Sequence, residues 1–109
     1  MDRKYVEKKL LDIGISPAYR EYIYITDAML ILSDSKWGCD KEMALYNKIA
    51  RNNNSTLYAV ERAVRRTLQK TREHRNPMKE KYLGYEYLQA KHTLCRLHNL
   101  LSMEYGVKM

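Results

Sequence analysis

The stretch Leu45–Arg66, LYNKIARNNNSTLYAVERAVRR, decides how this chain is read. In its second half and just beyond, Val60, Val64 and Leu68 recur at helical spacing and predict an inward face. Glu61, Arg62 and Arg65 fall on the opposite side and are expected to face outward. Ile49 and Ala50 close a preceding short helix, and Asn52, Asn53 and Asn54 make the bend. A small Ala fits where two helices cross tightly. Asn54 tolerates the left-handed backbone that such a turn demands. Ser55 or Thr56 can then cap the next helix. The spacing of Ala50, Asn54 and Val60 is that of a helix-turn-helix. The alternative on this pattern is an ordinary helical hairpin with a basic face.

The surrounding chain is consistent with one small domain spanning residues 1–109. Hydrophobic residues make up 45%, enough for one modest core. There is no Phe and one Trp, so ten Tyr carry most of the aromatic volume. Tyr sets a ring in the core and a hydroxyl at its edge, which suits a thin core. The net charge of +7 and pI near 9.4 point to a polyanionic partner, most often nucleic acid. The charge is uneven. From Arg62 to Lys81 there are eight basic residues against Glu73 and Glu80. Cys39 and Cys95 are too few for a disulfide scaffold and are read as free thiols. No run approaches the about twenty apolar residues of a membrane span. The start, MDRKYVEKKL, lacks the apolar core of a signal peptide, so a cytoplasmic protein is expected.

Elsewhere the pattern is helical throughout. Asp2–Ile13 reads as a first helix, with Gly14 as its C-terminal stop. Ser16-Pro17 is expected to restart a helix, Ser as cap and Pro at the first position. YIYIT in Tyr22–Thr26 alternates with period two, but the apolar run onward through Leu32 favours helix, with a break possible at Thr26-Asp27. Asp34–Gly38 reads as a loop, with Trp37 as a lid over the core, and Asp40 caps the helix before the asparagine turn. The long helix from Ser55 runs to about His74 and ends at Asn76-Pro77. A short helical piece, Met78–Leu83, precedes Gly84. Thr93 is expected to cap a last helix carrying Leu94, Leu97, Leu100, Leu101 and Tyr105, closed by Gly106. The expected fold is all-α, a compact bundle of about six helices containing a helix-turn-helix.

Several of these segments carry a family resemblance. The run LLDIGISPAYREYIYITDAMLILSDS and the later LYNKIARNNNSTLYAVERAVRRTL resemble the C-terminal DNA-binding domain of the stage-zero sporulation protein A family of endospore-forming bacteria. The most specific pieces are IGISP, YIYITDA and, above all, VERAVR at Val60–Arg65. LGY at Leu83–Tyr85 and the last helix fall where the family has similar features. The resemblance covers about Tyr5 to Tyr105. It implies a bundle of about six helices that binds a short DNA box as a tandem pair and acts with the RNA polymerase sigma factor at sporulation onset. It also implies that Glu61, Arg62 and Arg65 meet the base edges. Two departures stand out. The family protein carries a receiver domain that this sequence lacks, which reads as an excised domain or a short relative. The segment KTREHRNPMKEKYLGY is more basic than its family counterpart, where sigma factor is contacted.

The chemistry of these side chains agrees with that assignment. The forks of Arg62 and Arg65 match O6 and N7 of guanine. Glu61 facing DNA repels phosphate unless it accepts from cytosine N4, orients Arg65 four residues on, or is a solvated charge. Thr56 and Tyr58 can hydrogen-bond a phosphate or a base edge, core packing being the alternative for Tyr58. Lys48, Arg51, Arg66 and Lys70 suit phosphates, as do Arg72 and Arg75. An enzyme is not expected, because no Gly-rich phosphate loop or acidic pocket is present. Cys95 and His98, with His92, fall short of the four ligands of a zinc site, so neither metal nor cofactor is expected. The rival reading is a protein-interaction module: a receiver-less antagonist that dimerises with a full-length regulator, using the last helix and Met103 as a homodimer face.

Overall fold

The computed structural model describes residues 1–34, 42–73, 77–83 and 90–108. Six α-helices make up the fold among these residues: α1 (Arg3–Ile13), α2 (Arg20–Leu32), α3 (Glu42–Asn52), α4 (Leu57–Glu73), α5 (Pro77–Leu83) and α6 (Ala90–Lys108). No strand occurs among the described residues, so the all-α expectation holds. The Cα radius of gyration, 12.9 Å, is that of a compact chain of this length.

α1 is set by its ends as much as by its stripe. The Asp2 carboxylate accepts from the Tyr5 amide at 2.8 Å, satisfying one of the first-turn donors. Gly14 turns left-handed with φ of 98°. Its N–H reaches Leu11 O at 3.0 Å and that of Ile15 reaches Leu10 O at 2.9 Å, the paired bonds of a Schellman ending. Between these ends Val6, Leu10 and Ile13 point into the core.

α2 is the central element and packs against α1, α3, α4 and α6. Tyr22, Tyr24, Ile25, Ala28, Met29 and Leu32 are all buried, so the helix hides several faces at once. That explains the period-two appearance of YIYIT, because a helix covered on most sides loses its amphipathic signature. No break occurs at Thr26-Asp27. Thr26 instead donates its hydroxyl back to Tyr22 O at 2.8 Å. The expected helix start at Ser16-Pro17 is corrected. Ser16 Oγ accepts from the Ala18 amide at 3.2 Å, a local turn, and α2 begins only at Arg20 after an extended Tyr19.

Among the described residues, Asp27 is the one charged side chain that is buried. It is reached from two other elements. Arg3 of α1 donates to Oδ1 at 3.1 Å, and Asn53, just past α3, donates to Oδ2 at 2.7 Å. Asn53 also donates to Ile49 O at 2.8 Å, closing the end of its own helix.

A second polar clasp joins α1, α5 and α6. Tyr82 donates to Glu104 Oε2 at 2.6 Å, Lys9 Nζ lies 2.9 Å from the same carboxylate, and Lys81 Nζ lies 3.0 Å from it. The Tyr82 hydroxyl, then Lys9 and Lys81, hold the Glu104 carboxyl down at about 2, against an ordinary value of 4.5. Two further tyrosines place their hydroxyls at backbone acceptors on neighbouring elements. Tyr5 donates to Leu101 O at 3.0 Å and Tyr22 to Glu7 O at 3.2 Å.

Helix ends late in the chain differ from expectation. α6 begins at Ala90, so Thr93 lies within the helix, buried, rather than capping it. α6 also passes through Gly106, which is helical and has open space where a Cβ would stand. Glycine permits a left-handed stop without requiring one. Leu94, Leu97 and Leu101 are buried and Leu100 packs against them, while Tyr105 stacks on Tyr5 with centroids 4.9 Å apart. Cys95 is disulfide-bonded, which corrects its reading as a free thiol. Cys39, the Trp37 lid, the Asp40 cap, Asn76 and Gly84 lie outside the described residues, as does the side chain of Leu68.

Two stability measurements follow from the clasps. Asp27→Ala leaves the Asn53 amide and the Arg3 guanidinium without their shared acceptor, and should lower unfolding free energy by about 1–3 kcal/mol in urea titration. Arg3→Ala should cost less than about 1 kcal/mol, because that guanidinium is half exposed. For Glu104, a carboxyl held low when folded stabilises the protein above its ordinary titration range and loses that contribution as pH falls. The melting temperature should therefore drop between about pH 4.5 and pH 2. In Glu104→Gln that drop should be visibly shallower.

Candidate nucleic-acid interface

α3 and α4 are joined by a turn whose geometry is fixed at every residue. Asn54 is left-handed with φ of 51°, the conformation expected for it. The Ser55 amide donates to Ala50 O at 2.9 Å, so α3 ends in the same kind of six-residue loop as α1, with Asn in place of Gly. Thr56 is the cap of α4. Its Oγ1 accepts from the Ala59 amide at 3.1 Å. Ser55 has a different role, accepting from the Tyr24 hydroxyl at 3.3 Å. The turn is thus tied to α2 twice, through Asp27 to Asn53 and through Tyr24 to Ser55.

Val60 and Val64 are fully buried and seat α4 on the core, beside Ile49 and Ala50 of α3. The helix therefore shows solvent a defined face. At about 100° per residue, Tyr58 and Arg62 stand near the middle of the exposed arc, with Glu61 toward one edge and Lys70 toward the other. Burial agrees. Arg62, Arg65, Arg66 and Lys70 are exposed, whereas Glu61 is half-buried. Tyr58 is 72% exposed, so it does not pack in the core.

Glu61 and Arg65 are brought together as an i,i+4 ion pair. Such a pair restrains the long arginine and aims its free N–H groups outward. Lys70 sits 5.2 Å above the ring of Tyr19, so its ammonium leans toward α2. Lys48 and Arg51 lie exposed on α3. Thr56 is exposed, but one lone pair of its hydroxyl is taken by the cap.

Not all positive charge belongs to this face. Lys81, counted in the basic run that begins at Arg62, pairs with Glu104 in the clasp with α6. Arg3 and Lys9 are likewise committed to Asp27 and Glu104. Among the described residues no three His, Cys, Asp or Glu side chains form a metal-holding group. His98 instead lies 3.4 Å from Ser33 Oγ and 3.3 Å from Ser102 Oγ, and burial holds its ring below the ordinary histidine range. On α6 the leucines close the core, while Met103 is exposed.

Sequence reading put Asn53 in the bend and Asp27 at a possible break, and missed the positioning roles of both and of Tyr24. One signal was available for Asp27. A carboxylate within the apolar run IYITDAMLIL needs buried donors, and those donors must come from elsewhere in the fold.

None of the described helices is long and apolar enough to cross a membrane. A comparison with curated proteins gives no match. The family profile described as Sporulation initiation factor Spo0A C terminal matches residues 6–102, which takes in α1 through most of α6. With that match covering nearly the whole chain, the protein belongs to the Spo0A C-terminal family, a family of DNA-binding regulatory domains.

Proposed function

We infer that this chain is a sequence-specific transcription regulator that lays α4 in the major groove and reads a short DNA box. The observation that carries this reading is the exposure of Arg62 and Arg65 on the face of α4 opposite its buried valines. In this role Arg62 forks onto O6 and N7 of a guanine. Arg65, steadied by Glu61, does the same at a neighbouring step, and Glu61 uses its remaining lone pairs on cytosine N4. Burying a carboxylate near phosphates is tolerable only because it is already paired with a guanidinium.

The flanking groups set affinity rather than sequence. In this reading Lys48 and Arg51 on α3, with Arg66 and Lys70 on α4, meet phosphates beside the groove, which their exposure supports. Thr56 and the first amides of α4 offer donors to a backbone oxygen. Tandem binding on DNA and contact with RNA polymerase sigma factor are further proposals, carried by the family likeness alone. The rival reading, a homodimerising antagonist using α6, draws support only from the exposed Met103.

Two substitutions separate base reading from phosphate contact. Arg62→Ala should cost about 1–3 kcal/mol on the preferred box, with weak binding to unrelated DNA unchanged. Lys70→Ala should weaken all sequences alike and reduce the salt slope by about one. Fluorescence-anisotropy titrations of both variants on specific and scrambled duplexes, across salt, measure this. Equal losses on every sequence would overturn the assignment of roles.

A further inference from the structure

Tyr58 is the large apolar side chain most exposed among the described residues, and it stands on the solvent face of α4 with Arg62. Thr56 caps α4, so Tyr58 is the second helical residue, in the first turn. The N-terminal residues of a reading helix are among those that reach base edges. Tyr58 precedes Glu61 by three residues and Arg62 by four, so the three side chains are neighbours on one surface. The flank positions, where phosphates would lie, are filled by Arg66 and Lys70 instead. No core contact explains the ring, because Val60 and Val64 point the other way.

The chemistry of an exposed phenyl face in that position is specific. The floor of the major groove carries one apolar group, the C5-methyl of thymine. Arginine forks and a carboxylate have no use for it. An aromatic ring beside them does, since covering a methyl removes apolar surface from water on both partners. We propose that Tyr58 is a specificity-determining residue that reads a thymine through its C5-methyl group, at the end of the box beneath the start of α4. This rests on the reading of α4 as the groove-entering helix. The ring supplies the contact, and the hydroxyl is dispensable.

Replacing each thymine of the selected box by deoxyuridine, one position at a time, tests this directly, because only the methyl is removed. The box is first obtained by selecting bound duplexes from a random pool with the unaltered protein. The proposal expects one thymine, beside the guanine–cytosine steps read by Arg62 and Glu61, whose replacement weakens binding about fourfold, the worth of one buried carbon. The same loss is expected with Tyr58→Phe. With Tyr58→Ala the box thymine and its deoxyuridine replacement should bind equally, and selection should no longer prefer thymine there. A box in which no deoxyuridine replacement depends on Tyr58, or in which Tyr58→Phe behaves like Tyr58→Ala, overturns the proposal and leaves Arg62 and Arg65 as readers. A pool that yields no box at all removes the groove reading, and the Tyr58 proposal with it.

Discussion

The buried carboxylate of Asp27 is the constraint from which the arrangement of the helix-turn-helix follows. A charged group inside an apolar helix is costly unless its lone pairs are filled. Here they are filled by Arg3 from α1 and by Asn53 from the turn before α4. The need of one group thereby fixes three elements against each other. Asn53 is also the residue next to the left-handed Asn54, so the point where the chain reverses is the point that α2 grips. Tyr24 and Ser55 add a second tie one step further along. α4 then starts from a held position, and Val60 and Val64 decide its rotation. What α4 offers to a partner is determined by residues that never touch that partner.

The distribution of charge has the same logic. A net charge of +7 says only that the chain suits polyanions. The fold commits part of that charge to ion pairs and leaves part exposed. Arg3, Lys9 and Lys81 are neutralised by Asp27 and Glu104, where they join helices. Arg62, Arg66, Lys48 and Arg51 remain exposed on α3 and α4. Arg65 is intermediate, exposed but restrained by Glu61. Lys4, Lys8, Arg20 and Arg96 are exposed on other helices, so the basic surface of α3 and α4 is a part of the exposed charge, the part that flanks the turn.

How much of this was legible in the sequence depended on whether the signal was local. The turn at Asn54, the stop at Gly14 and the burial of Val60 and Val64 were legible, because backbone handedness and helical period are properties of a few adjacent residues. The beginning of α2 was not, since Ser16-Pro17 carries the marks of a helix start while its hydroxyl closes a smaller turn. Thr93 and Gly106 misled for a related reason. Capping residues act as boundaries only where the amides or carbonyls beside them are otherwise unpaired, and inside α6 they are paired. The grip of Asp27 on Asn53 joins residues 26 apart, and no periodicity encodes such a pairing. The state of Cys95 is likewise a property of the folded chain. For the candidate interface, sequence supplied the identities Glu61, Arg62 and Arg65. The i,i+4 spacing offered a pairing of Glu61 with Arg65 as one alternative, and the fold showed it formed, as it showed the exposure of Tyr58.

The central claim is that the exposed face of α4 meets base edges in the major groove. Methylation interference tests it most directly, because dimethyl sulfate marks guanine N7 in the major groove and adenine N3 in the minor groove. The account predicts that binding excludes duplexes methylated at N7 of particular guanines, and that Arg62→Ala erases the interference at one of them. Interference confined to adenine N3, or none at any guanine, would contradict it.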